Sequence, residues 1–440
     1  MKTKILYALI VILVLVHLWL VLPAIKFPLH FQLRDSYEYL DVARTLLSTG
    51  HYAGTEYPGI DLLRSPGYPL FLLVGLWLGN GTTGLVAPMQ VLIMFLTAWL
   101  LYRICVELGH RQVGLVAVIF YLLNPNATFW SMVMLSETLS SFWLVLGIWC
   151  FVHFWKTNHC VWIYIAGLSL AAGALTRPIV LPLAIALGVL FFLLEWRLTR
   201  TPIQSLKLSG LFFIGLILLV IPWTVRNQVV HGQFTLSEVG GSTFQNWYIA
   251  KTLASAEGYS RDEASSIIAN SPNPLKYSLD VIRQYPVVFL KEQVRGDLRT
   301  LLGAEYGTWA KVLGGEETAT TGVLSAFIDL GSPTKVLSSL TSQAKNPWFW
   351  AGIYAFVYDI LLFTAILIGF WCVLRYYRQE LIFNLAAVLV LSLFYLLFIP
   401  GPAGESRFRA PADALLALAA SLAFLPRKKV KQEENKDPVE

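Results

Sequence analysis

The strongest constraint on this sequence is its set of long apolar runs, several reaching the roughly 20 residues that a helix needs to cross a bilayer. Of the 440 residues only 14% are charged, well below what a soluble domain carries, and 56% are hydrophobic. The runs lack the short alternating strands of a membrane β-barrel, so they predict an all-α polytopic membrane protein. The net charge of +6 does not point to nucleic acid. Basic residues gathered on the cytoplasmic side, facing anionic lipid, account for it.

Those basic residues also set the orientation. Lys2 and Lys4 precede the first run, Arg103 and Arg111 flank one short loop, and Lys156 and His159 occupy another. Arg197, Arg200 and Lys207 mark a third, Arg375 and Arg378 a fourth, and Arg427, Lys428, Lys429 and Lys431 open the tail. Placing all of them inside gives about ten spans with both termini cytoplasmic, in the cell (inner or plasma) membrane. The spans fall near 5–22, 83–102, 112–123, 129–154, 160–176, 179–195, 207–223, 352–374, 381–399 and 410–425. The run from Tyr68 to Leu78 is too short to cross comfortably and reads as an interfacial or re-entrant helix. The first run has no small-x-small cleavage site and reads as an uncleaved span. Cys105, Cys150, Cys160 and Cys372 fall near span ends on the reducing side, so no disulfide is expected.

This topology divides the chain into four parts. Residues 1–223 form a transmembrane module with a first outer loop over 24–82, and 224–350 form an extracytoplasmic loop domain. Residues 351–426 return to the membrane, and 427–440 are a charged, disordered cytoplasmic tail.

The outer ends collect unusual chemistry. In the first loop, Asp35 to Leu47 has a helical pattern with Tyr39, Val42, Ala43 and Leu46 on one face, and Gly50 stops it. Asp35 and Glu38 lie one turn apart and point the same way. Arg64 and Tyr68 follow in Arg64-Ser65-Pro66-Gly67-Tyr68-Pro69. Glu137 is expected below the surface in the span after Asn124-Pro125, as the one deep carboxylate. Arg177, Arg226 with Asn227, and Glu405 with Arg407 and Arg409 complete the set, the four arginines beside prolines at span ends. A single interfacial arginine is usually a lipid anchor. As a set they read otherwise, because the outer face does not normally accumulate arginine.

A guanidinium fork suits bidentate phosphate binding, and a phosphate presented from a bilayer is naturally that of a polyprenyl-phosphate lipid. Sugar transfer from such a donor needs a base for the acceptor hydroxyl and cations for the leaving phosphate. Asp35, with Glu38 beside it, fits the first role. Arg177, Arg226, Arg407 and Arg409 fit the second, with Arg64, Tyr68, Glu137, Asn227 and Glu405 lining the pocket. No metal is expected: Asp35 and Glu38 offer too few oxygens for a hard cation, which leaves a divalent metal as the less favoured reading. Asn80-Gly81-Thr82 and Asn126-Ala127-Thr128 match the glycosylation sequon.

The motifs in order resemble the GT-C membrane glycosyltransferases. More narrowly they are similar to the bacterial family that includes the dolichyl-phosphate-mannose protein mannosyltransferase-like and aminoarabinose transferase-like enzymes. The residues that carry the resemblance are Asp35-Ser36-Tyr37-Glu38-Tyr39, Arg64 to Pro69, Ser136-Glu137-Thr138, Thr176-Arg177-Pro178, Pro222 to Asn227 and Glu405 to Pro411. The resemblance implies single-displacement transfer of a sugar from a polyprenyl-phosphate donor, outside the cytoplasm, with Asp35 as the base. The acceptor would be a glycan, a lipid or a protein, selected by the long outer segment. The first loop lacks a D-x-D or E-x-D, a departure that favours a metal-free mechanism. Two alternatives stand beside this one. An O-antigen polymerase or ligase-like enzyme using a diphosphate-linked glycan would not need Asp35. A lipid or sugar transporter would show charged or broken helices near the midplane in paired halves.

Overall fold

The structure is a computed structural model that describes residues 2–303, 306–314, 334, 338, 341, 342, 344–378 and 380–427. The tail expected to be disordered lies outside these residues beyond Arg427. Among the described residues the chain is helical or irregular, with no strand.

The helices, in order, are α1 (Lys2–Leu20), α2 (Arg34–Thr49), α3 (Gly67–Leu78), α4 (Val86–Glu107), α5 (Arg111–Leu123) and α6 (Pro125–Met132). They continue with α7 (Glu137–Thr157), α8 (Val161–Thr176), α9 (Val180–Thr199) and α10 (Pro202–His231). An outer group follows: α11 (Ala250–Glu257), α12 (Arg261–Ala269), α13 (Pro274–Gln284) and α14 (Pro286–Leu302). The chain then re-enters with α15 (Pro347–Tyr376), α16 (Leu381–Phe398), a short turn α17 (Ser406–Arg409) and α18 (Asp413–Ser421).

Seven helices among the described residues are long and apolar enough to cross a membrane: α1, α4, α7, α9, α10, α15 and α16. The pair α5–α6, bent by 60°, makes an eighth if it is one span. The remaining two of the expected ten, α8 and α18, are apolar but shorter. The protein is built for lipid: Leu367, Phe394 and Ile214 each expose more than half of their surface on spanning helices. Every residue of α18 is buried, as expected of a helix that is apolar all round.

Three local features differ from the sequence expectation. First, the expected span 129–154 is broken: α6 ends at Met132 and α7 starts at Glu137, so Glu137 stands in the first turn of a helix rather than inside one. The backbone groups freed at the break, which is buried, are satisfied from afar. Gln90 donates to the carbonyls of Ser131 and Val133 at 3.0 and 2.7 Å, Ser36 Oγ donates to Met134 O at 2.8 Å, and Met134 N donates to Phe31 O. Irregular backbone at membrane depth is tolerated only when it is paired in this way. Second, α10 does not end near 223, the expected end of its span. It runs on to His231, where Gly232 caps it at φ 72°. Third, Glu137 is not the one deep carboxylate, because Asp359 and Asp413 are fully buried as well. Asn126, in the second sequon, is also buried and bonded internally.

Candidate active site

Helix α2 is placed by its own sequence. Tyr39, Val42 and Ala43 are buried along one face, and Gly50 adopts the left-handed conformation, at φ 74°, that ends the helix. Ser36 Oγ accepts the Leu33 N–H and donates to the 133–136 break, pinning the start of α2 against the start of α7. Asp35 thus sits in the first turn of one helix and Glu137 in the first turn of another, where the helix dipole favours a carboxylate.

Six charged side chains from five segments then form one continuous network. Arg64 donates to Glu38 at 2.5 Å and to Asp35 at 2.9 Å. Arg407 donates to the other oxygen of Asp35 at 2.7 Å and to Glu137, 270 residues away, at 2.7 Å. Arg177 closes the chain on Glu137 at 2.5 Å. Two polar side chains hold the middle: Arg64 lies 4.7 Å over the Tyr39 ring, and Ser136 Oγ takes Arg177 at 3.3 Å and meets Tyr39 Oη at 3.4 Å. Glu137 is sealed off, whereas the Asp35 side chain keeps 27% of its surface open. Burial alone would raise the Asp35 carboxyl, but Arg407 and Arg64 outweigh it and bring it down to about 2.

The remaining predicted residues sit as follows. Glu405 lies two residues before Arg407 and is open to solvent, though crowded by protein. That crowding raises its carboxyl above the ordinary range against the pull of Arg407, Lys251 and Arg299. Tyr68 and Asn227 are not available to a substrate. Tyr68 is completely buried and donates to Gln90 at 2.6 Å, orienting the side chain that pairs the 133–136 break. Asn227 is buried and donates to Thr235 O at 2.8 Å.

Arg226 and Arg409 stand apart from the network. Arg226 rides on the projecting end of α10, pairs with Asp61 at 2.6 Å and the Tyr52 carbonyl at 2.8 Å, and lies 5.0 Å over the Trp223 ring. Tyr52 links it to the network, its hydroxyl donating to the Arg64 carbonyl at 2.8 Å. Arg409, 1% exposed, is held by Asp359 at 2.7 Å, by Asp413 at 3.3 Å and by the Leu301 carbonyl. Asn126 donates to Asp413 at 2.7 Å and to the Ser406 carbonyl at 3.0 Å. Both arginines therefore brace the segments that carry Arg64 and Arg407. They resembled phosphate ligands in the sequence because their pairing carboxylates, Asp61, Asp359 and Asp413, are remote along the chain. Asp359 and Asp413 could have been noticed as charges within apolar runs. Ser136 and Tyr39 gave no such signal beyond their place in the motifs.

Among the described residues no three His, Cys, Asp or Glu side chains gather as a metal site. The four cysteines are free, with only Cys160 exposed.

Comparison with known proteins agrees with this architecture. Residues 64–223 match the family described as dolichyl-phosphate-mannose-protein mannosyltransferase. The fold is similar to the oligosaccharyltransferase AglB from Archaeoglobus fulgidus, in complex with an inhibitory peptide and a dolichol-phosphate. That likeness has a TM-score of 0.51 at 13% identity, over 96% of this chain and 50% of that one. The Archaeoglobus fulgidus oligosaccharyltransferase in its apo form gives 0.50 at 14% identity, over 95% and 50%. ArnT from Cupriavidus metallidurans, bound to undecaprenyl phosphate, gives 0.41 at 11% identity, over 92% and 77%. This chain thus spans about half the length of the oligosaccharyltransferase it resembles. No curated protein matches its sequence. By fold the chain is similar to the membrane-embedded oligosaccharyltransferase AglB. The segment from Arg64 to Trp223 carries the mannosyltransferase family match.

Proposed function

We propose that the protein transfers a sugar from a polyprenyl-phosphate donor to an acceptor hydroxyl outside the cytoplasm, with Asp35 as the base. The observation that carries this reading is the network itself: Asp35 meets two guanidiniums from segments remote in sequence, at the root of an outer loop. In the reaction the acceptor oxygen bonds to the anomeric carbon while the bond from that carbon to the phosphate oxygen breaks. The electron pair leaves with the phosphate, and the hydroxyl proton goes to Asp35.

A carboxyl held at about 2 is a poor proton acceptor at neutral pH. The resting state is therefore not the reactive one. A phosphate arriving beside Arg407 competes with Asp35 for the same donors, and each donor it takes returns basicity to Asp35. Donor binding would then switch on the base that the acceptor needs.

The test is transfer of a radiolabelled sugar from undecaprenyl-phosphate-linked donors by the purified protein. Asp35→Asn keeps the shape and loses the base, so transfer should fall by at least about 100-fold. Transfer at the wild-type rate in that variant would remove Asp35 from catalysis.

A further inference from the structure

The network is electrically closed: Asp35, Glu38 and Glu137 balance Arg64, Arg177 and Arg407, three against three. Each of these arginines must give up an ion pair to take a phosphate. A cation with no such obligation is bonded to the segment that carries Arg407. Lys251, in α11 of the outer group, donates from Nζ to the Pro402 carbonyl at 2.6 Å. It makes no ion pair among the described residues.

Lys251 is part of a clamp that holds the segment leading to Arg407. Gln293 donates to the Phe398 carbonyl at 2.9 Å, and Tyr248 donates to the Ile399 carbonyl. Gly296 of α14 packs backbone to backbone on this segment: a side chain there would strike the Gly401 carbonyl, and one at Gly404 would strike the Gly296 carbonyl. The contact leaves Lys251 bonded three residues along the chain from Glu405. Glu405 feels the charges of Arg407, Lys251 and Arg299, and that of Asp35. Burial and the nearby Arg299 push the Lys251 ammonium below the ordinary lysine range, against the pull of Glu405 and Glu292. That is the condition of a cation short of negative charge, and an anion settling beside it would relieve it.

We infer that Lys251, reaching in from the outer helical group, is a ligand for the phosphate of the polyprenyl donor, a role that the paired Arg226 and Arg409 do not fill. This rests on the donor class proposed above. A lysine suits the task as a compact point charge, and its carbonyl partner is exchangeable without breaking an ion pair.

The experiment is equilibrium binding of radiolabelled undecaprenyl phosphate to the full-length purified protein, at two salt concentrations. Lys251→Gln keeps a donor for Pro402 O and loses the charge; it should weaken binding about 10-fold or more and flatten the salt dependence. Lys251→Arg should stay within about 3-fold of wild type, since it keeps the charge. Asp35→Asn, which removes a negative charge from the site, should bind at least as well as wild type. If wild type binds and Lys251→Gln binds equally well, Lys251 is not a phosphate ligand. Lys251→Arg binding as weakly as Lys251→Gln would also overturn the inference, since it would mark a packing role. If wild type itself does not bind undecaprenyl phosphate, the donor class is wrong and the inference falls with it.

Discussion

At the scale of single residues, the decisive fact about Asp35 is that its carboxyl is held at about 2 by two guanidiniums. An unfolded aspartate titrates near 3.9. The folded value is lower, so the ionised form stabilises the fold above pH ~4, and that contribution is lost as pH falls through about 2. We therefore expect the wild-type melting temperature in detergent to fall between pH ~4 and ~2, and Asp35→Asn to lose part of that fall. If Asp35→Asn melts with the wild-type pH dependence, the carboxylate is not engaged as described. Residue identity alone could not have separated Arg407 from Arg226. Both are outer arginines near prolines, and only folding shows that one meets Asp35 while the other meets Asp61.

At the scale of elements, the seven long apolar helices were legible because hydropathy over a window of 20 residues does not depend on tertiary contacts. Helix α2 was legible for a similar reason, since its apolar face and its terminating Gly50 are local signals. The break between α6 and α7 was not legible. Met132-Val133-Met134-Leu135 holds neither Gly nor Pro, and the break exists because Gln90, Ser36 and Phe31 supply partners from elsewhere. The span expected to end near 223 continues instead as α10 to His231. The clamp from α14 onto the 398–404 segment was equally hidden, and it carries its own prediction. Asp297, bonded to Gln293 at 3.0 Å, is raised by burial to about 6 despite that bond. A folded value above the unfolded one means that the protonated form is preferred, so stability is lost as pH rises through about 6. Asp297→Asn should therefore raise stability at pH ~7.5, by on the order of 2 kcal/mol at most, and leave it unchanged at pH ~4. Denaturation at both pH values checks this, and a variant less stable at pH ~7.5 would refute it.

At the scale of the whole molecule, the proposed chemistry requires one orientation. The network, the clamp and the outer group α11–α14 must all face away from the cytoplasm, with the basic loops at the opposite ends of the spans inside. Two exposed positions report the two faces. Cys160, in the loop between α7 and α8, is the exposed one of four free cysteines and lies on the side assigned to the cytoplasm. Asp262, on α12 of the outer group, has a side chain 88% exposed. A membrane-impermeant maleimide added to intact cells should leave wild type unlabelled, since the other three cysteines are buried. Permeabilisation should then admit it to Cys160. In Asp262→Cys with Cys160→Ser, labelling should occur in intact cells and gain nothing from permeabilisation. Asp262 already faces water, so the substitution should cost little stability. The opposite pattern would turn Asp35 toward the cytoplasm. There the basic loops would face out against the retention of positive charge, and extracytoplasmic transfer would have no site.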